Sequence, residues 1–306
     1  MLNKKILHRQ LQVWIMAAVS APLAIYGGKA SWTWSLAIGL ICILLCIAVL
    51  KLENIKYGKI LGAIQIILLG VVSGVLLSDL SLCWETDNVI MPIVLITLAV
   101  ISAVGGAERN GRVCCVLAWI LALLYIVSLA AGAKDIQIKW LYPAEQREGL
   151  LPLIFLIPAV AVILPREQGS GLWILLVVPL FAAIIGIWCA GTLSTKVTQT
   201  VQIPFFEYSK SLSVFGVAER FEALISVAMT AGLFCMLSLL LSSAQQMVRN
   251  GALVSGVLSV IVVWINVRIN PWILDIFALF LWIVIPLLKC EKINRKKMKK
   301  VLDKWK

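Results

Sequence analysis

Charge and histidine are the scarce commodities of this chain. Of its 306 residues only 14% are Asp, Glu, Lys or Arg, and histidine occurs once. Soluble domains carry about a quarter of their residues charged, so a water-exposed surface around a core of this composition is excluded. A single histidine excludes a multi-histidine metal centre. It also leaves no nucleophile–base set on any inward-facing stretch, which argues against an enzyme and against any resident cofactor. A paired-cysteine framework is missing too. Of eight cysteines, Cys42, Cys46, Cys114, Cys115, Cys189 and Cys235 fall inside or at the ends of apolar runs, Cys83 lies in a short loop and Cys290 in a basic tail.

Apolar residues are what is plentiful, at 61% of the chain, with a mean hydropathy of +1.00. At about 20 residues per membrane-spanning helix, the length accommodates about ten spans and no independent soluble domain. Apolar runs lie near 11–28, 33–50, 60–78, 89–105, 113–132, 150–164, 172–190, 221–243, 251–267 and 271–288. They predict an all-α polytopic membrane protein, with residues 1–288 forming one transmembrane bundle and 289–306 a basic tail. Asn266, Arg268, Asn270 and Pro271 divide the last two runs into a hairpin, since proline cannot continue the preceding helix without strain. The first run has features of a secretory signal, with Lys4 and Lys5 before it and small residues at Ala18, Ser20 and Ala21. An uncleaved first span is the better description, because the run continues past Pro22 to Gly28.

Loop charge sets the orientation. With ten spans and the N-terminus inside, 19 of the 27 Lys and Arg residues fall on the cytoplasmic side, nine of them in the tail from Lys289. That bias predicts both termini in the cytoplasm. In the tail, Met298, Val301, Leu302 and Trp305 follow helical spacing, as for an amphipathic helix on the anionic inner leaflet or a docking site for a cytoplasmic subunit. A nucleic-acid role needs no invoking.

Ten spans divide into five plus five, and the first span of each half is the odd one. Span one carries Ser20-Ala21-Pro22 at its middle and Gly27-Gly28 at its end; span six carries Pro152 and Pro158. Interrupted helices at matching positions of two halves point to a midplane ligand site in inverted-repeat transporters. A break frees backbone N–H and C=O groups, which must then face protein, water or a ligand. Ser20, Ala21, Pro22, Pro152 and Pro158 are therefore the candidate ligand-binding positions. Asp275 is the one acid well inside a run, where an unpaired carboxylate costs a few kcal/mol; a local structural pair or ion coupling accounts for it. Gly70-Val71-Val72-Ser73-Gly74 puts small residues on one face of span three, for close helix packing. Cys114 and Cys115 face different directions as packing residues.

The longest outer segment joins spans seven and eight. From Pro204, a favoured first helical residue, Phe205, Tyr208, Leu212 and Phe215 recur at helical spacing, with Glu207 and Lys210 off that stripe. This predicts a short amphipathic helix lying along the outer face and stopping at Gly216. Arg220 and Glu222 then open span eight. Two apart on one helix, they cannot pair with each other; each is a candidate structural or gating group, or else snorkels at the interface.

The runs Pro204-Phe205-Phe206-Glu207-Tyr208, Lys210-Ser211-Leu212-Ser213-Val214 and Glu219-Arg220-Phe221-Glu222-Ala223-Leu224 resemble the spore germination permease family. These are the integral-membrane B subunits of nutrient germinant receptors, within the amino acid–polyamine–organocation superfamily. Arg9-Gln10-Leu11 and Gly28-Lys29-Ala30-Ser31-Trp32 are similar to that family's opening and its entry to span two. The resemblance implies a LeuT-like five-plus-five inverted repeat in a spore inner membrane or cell membrane. It also implies A-type and lipoprotein C-type partner subunits and a small nutrient, an amino acid or sugar, as the signal. An amino-acid transporter of the same superfamily is the alternative. The chain is shorter than typical members between spans five and seven, which makes a non-binding assembly subunit a further alternative.

Overall fold

The computed structural model describes residues 8–28, 31–50, 59–81, 84, 89–141, 173–212, 221–265 and the isolated positions 273, 276, 277 and 280. Eight long helices and two short ones account for nearly all of it: α1 (His8–Tyr26), α2 (Trp32–Leu50), α3 (Lys59–Ser81), α4 (Ile90–Val104), α5 (Ala107–Gly132), α6 (Trp173–Leu193), the short α7 (Thr195–Thr200) and α8 (Pro204–Lys210), α9 (Phe221–Met247) and α10 (Gly251–Ile265). Two short 3-10 turns follow α5, and no strand occurs among the described residues. The runs expected at 150–164 and 271–288, the basic tail, and with them Pro152, Pro158 and Asp275, lie outside the described residues. So do Arg220, Phe215 and Gly216.

Gly, Asn and Ser set the tight corners. Gly106 sits at φ 103° between α4 and α5, a conformation that a side chain would strain. Asn250, at φ 67°, turns α9 into α10, using the left-handed geometry that asparagine tolerates best after glycine.

Among the described residues, three helices are long and apolar enough to cross a membrane: Gly62–Ser81, Ala107–Asp135 and Phe221–Met247. The outward faces suit hydrocarbon rather than water. Trp119 and Trp264 are 77% and 76% exposed, and Leu44, Val116, Leu123, Ile126 and Val227 stand out beside them. Soluble monomers rarely present apolar area on this scale. The all-helical bundle is that of a membrane protein.

The interior is organised around α1. Leu11, Trp14, Ile15, Ala18, Ala21, Leu23 and Ile25 are all buried. From Ala17 to Tyr26 every residue of α1 is buried, so that stretch has no exposed face and is enclosed by its neighbours, whereas Met16 stands 43% exposed. The helix packs on α9, α5 and α6. Trp14 anchors it, the indole N–H donating to the Cys235 carbonyl at 3.0 Å.

Helix directions follow from these cross-links. Gln10 and Ser20 of α1 meet Cys115 and Tyr125 of α5, so α1 and α5 run parallel. Tyr125 and Leu129 of α5 meet Phe181 and Trp188 of α6, so α5 and α6 are parallel as well. In contrast, Asn110 and Cys114 of α5 meet Ser242 and Ser238 of α9, an antiparallel pairing. Gly70 and Gly74 of α3 lie against Ser255 and Ser259 of α10, with the Ser259 hydroxyl donating to the Gly70 carbonyl at 3.0 Å. The small-residue face expected in span three is thus the seam on which α10 seats, parallel to it.

Candidate functional site

Ser20, Ala21 and Pro22 lie in the enclosed middle of α1, and the helix is not broken there. It runs through Pro22 to Tyr26 and ends at Gly27-Gly28, which corrects the interruption expected from sequence. A proline inside a helix removes one N–H and crowds the carbonyl four residues back, at a cost of about 3 kcal/mol when nothing compensates. The carbonyl that loses its helical partner here is that of Ala18, and the nearby cross-helix hydrogen bond goes to a different one. The Tyr125 hydroxyl of α5 donates to the Ser20 carbonyl at 3.2 Å. The Ser20 hydroxyl turns back onto its own helix, donating to the Ala17 carbonyl at 2.7 Å.

Opposite this segment stands Gly232 of α9. A Cβ there would lie 2.6 Å from Ser20 Oγ and 3.0 Å from Ala21 Cβ. The absent side chain is what lets the two helices touch at this level. Ala21 is fully buried and Ser20 nearly so. The arrangement is a closed contact between α1 and α9, walled by Tyr125.

Tyr125 connects this contact to the end of the bundle where α8 packs. Its ring packs edge-on to Phe181, centroids 5.7 Å apart, and tilted on Phe205 at 5.5 Å. Phe205 in turn lies 5.6 Å from Tyr208, whose hydroxyl donates to the Ser128 carbonyl at 2.7 Å. Burial, then the proximity of Cys189, pushes the Tyr208 phenol above its ordinary range.

The helix that carries Phe205 and Tyr208 is not laid along the surface as the sequence predicts. Pro204, Phe205, Phe206, Tyr208 and Ser209 of α8 are all buried, and α8 packs on α1, α6 and α9. The predicted apolar stripe does face the protein, through Phe205, Tyr208 and Leu212. Glu207 and Lys210 do face away, paired at 2.9 Å. What differs is depth, and α8 ends at Lys210, short of Gly216. Two glycines make the depth possible. Pro204 fits over Gly28, where a Cβ would come within 2.9 Å, and the Tyr208 ring occupies the place of a side chain at Gly132.

Other polar links were not foreseen. The Tyr26 hydroxyl donates to the Asp79 carboxylate, joining the C-terminal ends of α1 and α3. Asn110 accepts from the Ser102 hydroxyl and donates to Ser242 at 3.0 Å, tying the start of α5 to the C-terminal ends of α4 and α9. Trp84 donates to the Thr230 hydroxyl at 3.0 Å. Gln65 of α3 is fully buried, and neither of its amide atoms has a hydrogen-bond partner. Polar residues within apolar runs were the available signal for Tyr125 and Gln65; Asn110, in the charged stretch before the fifth run, carried none. For Gly232 the signal was a small residue amid bulky ones.

Glu222 lies in the first turn of α9 and is half-buried. A carboxylate there is favoured by the helix dipole, and no described residue pairs with it.

No protein-family model matches the chain, and no curated protein matches it.

Proposed function

We propose that this chain is the integral-membrane subunit of a spore nutrient germinant receptor, sensing an amino acid or similar small nutrient through the Ser20–Pro22 region of α1. The receptor assignment is carried by the runs at 204–214 and 219–224, with their Pro-aromatic segment and Arg220-x-Glu222 entry to a long helix. The placement of that segment adds support: α8 reaches Tyr125, and Tyr125 touches Ser20. A change in the packing of α1 has a direct mechanical route to the outer surface.

The proposed architecture is ten spans in a LeuT-like five-plus-five repeat, both termini cytoplasmic. Counting 150–164 as the sixth span makes α6 the seventh, α9 the eighth and α10 the ninth. Helices five apart in that numbering are α2 and α6, α3 and α9, α4 and α10, and each of these pairs packs together. A twofold axis relating the halves would bring such pairs together. The same axis would turn the α3–α10 contact into the α9–α4 contact, and both are present. The parallel run of α5 and α6 is also the direction that one further crossing between them would require.

A non-binding assembly subunit is the second reading, favoured by the tight closure of Ser20 and Ala21 on Gly232. The deciding experiment is a nutrient panel on dormant spores with and without this chain, following early cation and dipicolinate release. Loss of the response to one nutrient supports the sensing reading. With redundant receptors deleted, an unchanged panel rejects it. Loss of response to every nutrient, together with loss of partner subunits from the membrane, favours assembly.

A further inference from the structure

Gln65 of α3 is fully buried, and neither atom of its amide has a hydrogen-bond partner among the described residues. Two buried hydroxyls on the paired helices share that condition, Ser73 of α3 and Ser255 of α10. Hydrocarbon satisfies none of these groups, so the packing here carries a standing penalty.

The cover over this part of α3 is thin. Gln65 lies six residues from the start of the helix, about 9 Å along it, and the corner between α9 and α10 seats on the same stretch. A Cβ at Gly62 would lie 3.8 Å from Val248 Cγ2, and one at Gly251 would lie 3.3 Å from Ile66 Cδ1. Contacts with the corner therefore bracket Gln65 along the helix. The corner is also the surface of the molecule: Val248 is 40% exposed, and Arg249 and Asn250 are exposed beside it. Its polar ties are internal. The Ala252 N–H donates to the Gln245 side chain at 3.2 Å, and the Gly251 N–H to the Val248 carbonyl at 2.9 Å. The hydrogen bond from Ser259 to the Gly70 carbonyl, which ties α10 to α3, comes two turns beyond the corner.

We propose that the α9–α10 corner is a flap, and that the unpartnered amide of Gln65 sets its balance. With the flap seated, two donors and an acceptor are shut away from water. With the flap lifted, water enters between Gly251 and Ile66 and satisfies them. The amide raises the free energy of the seated state and leaves the lifted state untouched, which keeps the lifted state populated as a minor conformer. Ser255, one turn into α10 and against Gly70, is the group that lifting uncovers after Gln65. The flap lies at the end of the bundle opposite to α8, since α9 meets the start of α5 there while Tyr208 meets its end. It is a second moving part, separate from the contact of Ser20 with Tyr125.

The test measures water access to position 255 in the full-length protein, in unsealed native membranes. Ser255→Cys is nearly isosteric and loses no hydrogen bond of the side chain. A permanently charged methanethiosulfonate reports hydration, because it stays in water and reacts with the thiolate. Cleavage after Arg249 and Arg268 isolates position 255 from every native cysteine, so mass spectrometry reads the label directly. The expected result is labelling of Ser255→Cys, slower than that of Arg249→Cys at the exposed corner. Adding Gln65→Met should slow it about tenfold, because the seated state loses its penalty. Adding Gln65→Glu should speed it, because a carboxylate gains more from water than an amide does. Loosened packing alone would speed labelling in both variants, so slowing by methionine is the signature of the proposed balance. Ser255→Cys that stays unlabelled while Arg249→Cys labels fully would overturn the proposal, because no flap then lifts. Equal or faster labelling with Gln65→Met would overturn it too, because the amide would then carry no weight in the balance.

Discussion

Tyr208 stands where a side chain at Gly132 would have to go. Its hydroxyl reaches past that glycine to the Ser128 carbonyl at 2.7 Å, so the fit of α8 on the bundle depends on one hydrogen atom in α5.

Gly132→Ala should therefore unseat α8. A Cβ at 132 collides with the Tyr208 hydroxyl and ring, and overpacking of this kind costs about 1–3 kcal/mol. Tyr208→Phe loses one buried hydrogen bond, worth about 1 kcal/mol. The nearest colliding atom is the hydroxyl oxygen, so the double variant should be more stable than the two single losses predict. Thermal unfolding of the four proteins in detergent measures that coupling. Simple additivity would mean that α8 does not sit on Gly132.

The same tyrosine sets an alkaline limit. Because burial raises the Tyr208 phenol above its ordinary value of 10.0, the folded state keeps a proton that the unfolded state releases first. Stability is then unaffected by this group below pH 10 and falls as pH rises beyond it. Melting temperatures of the wild type should drop faster between pH 10 and 11 than those of Tyr208→Phe, which has no phenol to titrate.

Gly232→Ala should push α1 away from α9, since the new methyl group meets Ser20 Oγ at 2.6 Å and Ala21 Cβ at 3.0 Å. A loss of about 1–3 kcal/mol is expected. Ser20→Ala in the same chain removes the nearest atom and should recover part of it. If the nutrient response tracks the α1–α9 contact, dose–response curves of spores carrying the variants should shift in the same order as stability.

Gln65→Met should stabilise the protein. The amide is fully buried without a partner, and an unsatisfied buried polar group costs about 1–3 kcal/mol. Methionine has a similar shape and no such penalty, so the melting temperature should rise. A fall would indicate that Gln65 serves a polar group bound in the native membrane.

The helices themselves were legible because a membrane span is written in composition alone. The boundaries of α1, α3 and α9 lie within a few residues of the apolar runs that predicted them. The stripe on α8 was legible for a related reason: Phe205, Tyr208 and Leu212 share a face, and Glu207 and Lys210 share another. Its depth was not, because depth depends on cavities opposite, at Gly28 and Gly132, that lie far away in sequence. Pro22 misled in a similar way. Proline marks a missing N–H, but whether the helix opens depends on its surroundings, here on close packing of α1 against α5 and α9. Gln65 shows as a polar residue in an apolar run, but its lack of a partner among the described residues is legible in no pattern, since that environment exists only after packing.

The enclosure of α1 bears on how the protein is made. α1 is synthesised first, yet Trp14 waits for a carbonyl 221 residues further along the chain. At about 5–20 residues per second, the first helix spends about ten to forty seconds in the bilayer before its principal neighbour emerges. During that interval the side of α1 that α9 will cover has lipid, an insertion factor or the helices already made to face. Assembly of this bundle must close around its oldest helix last.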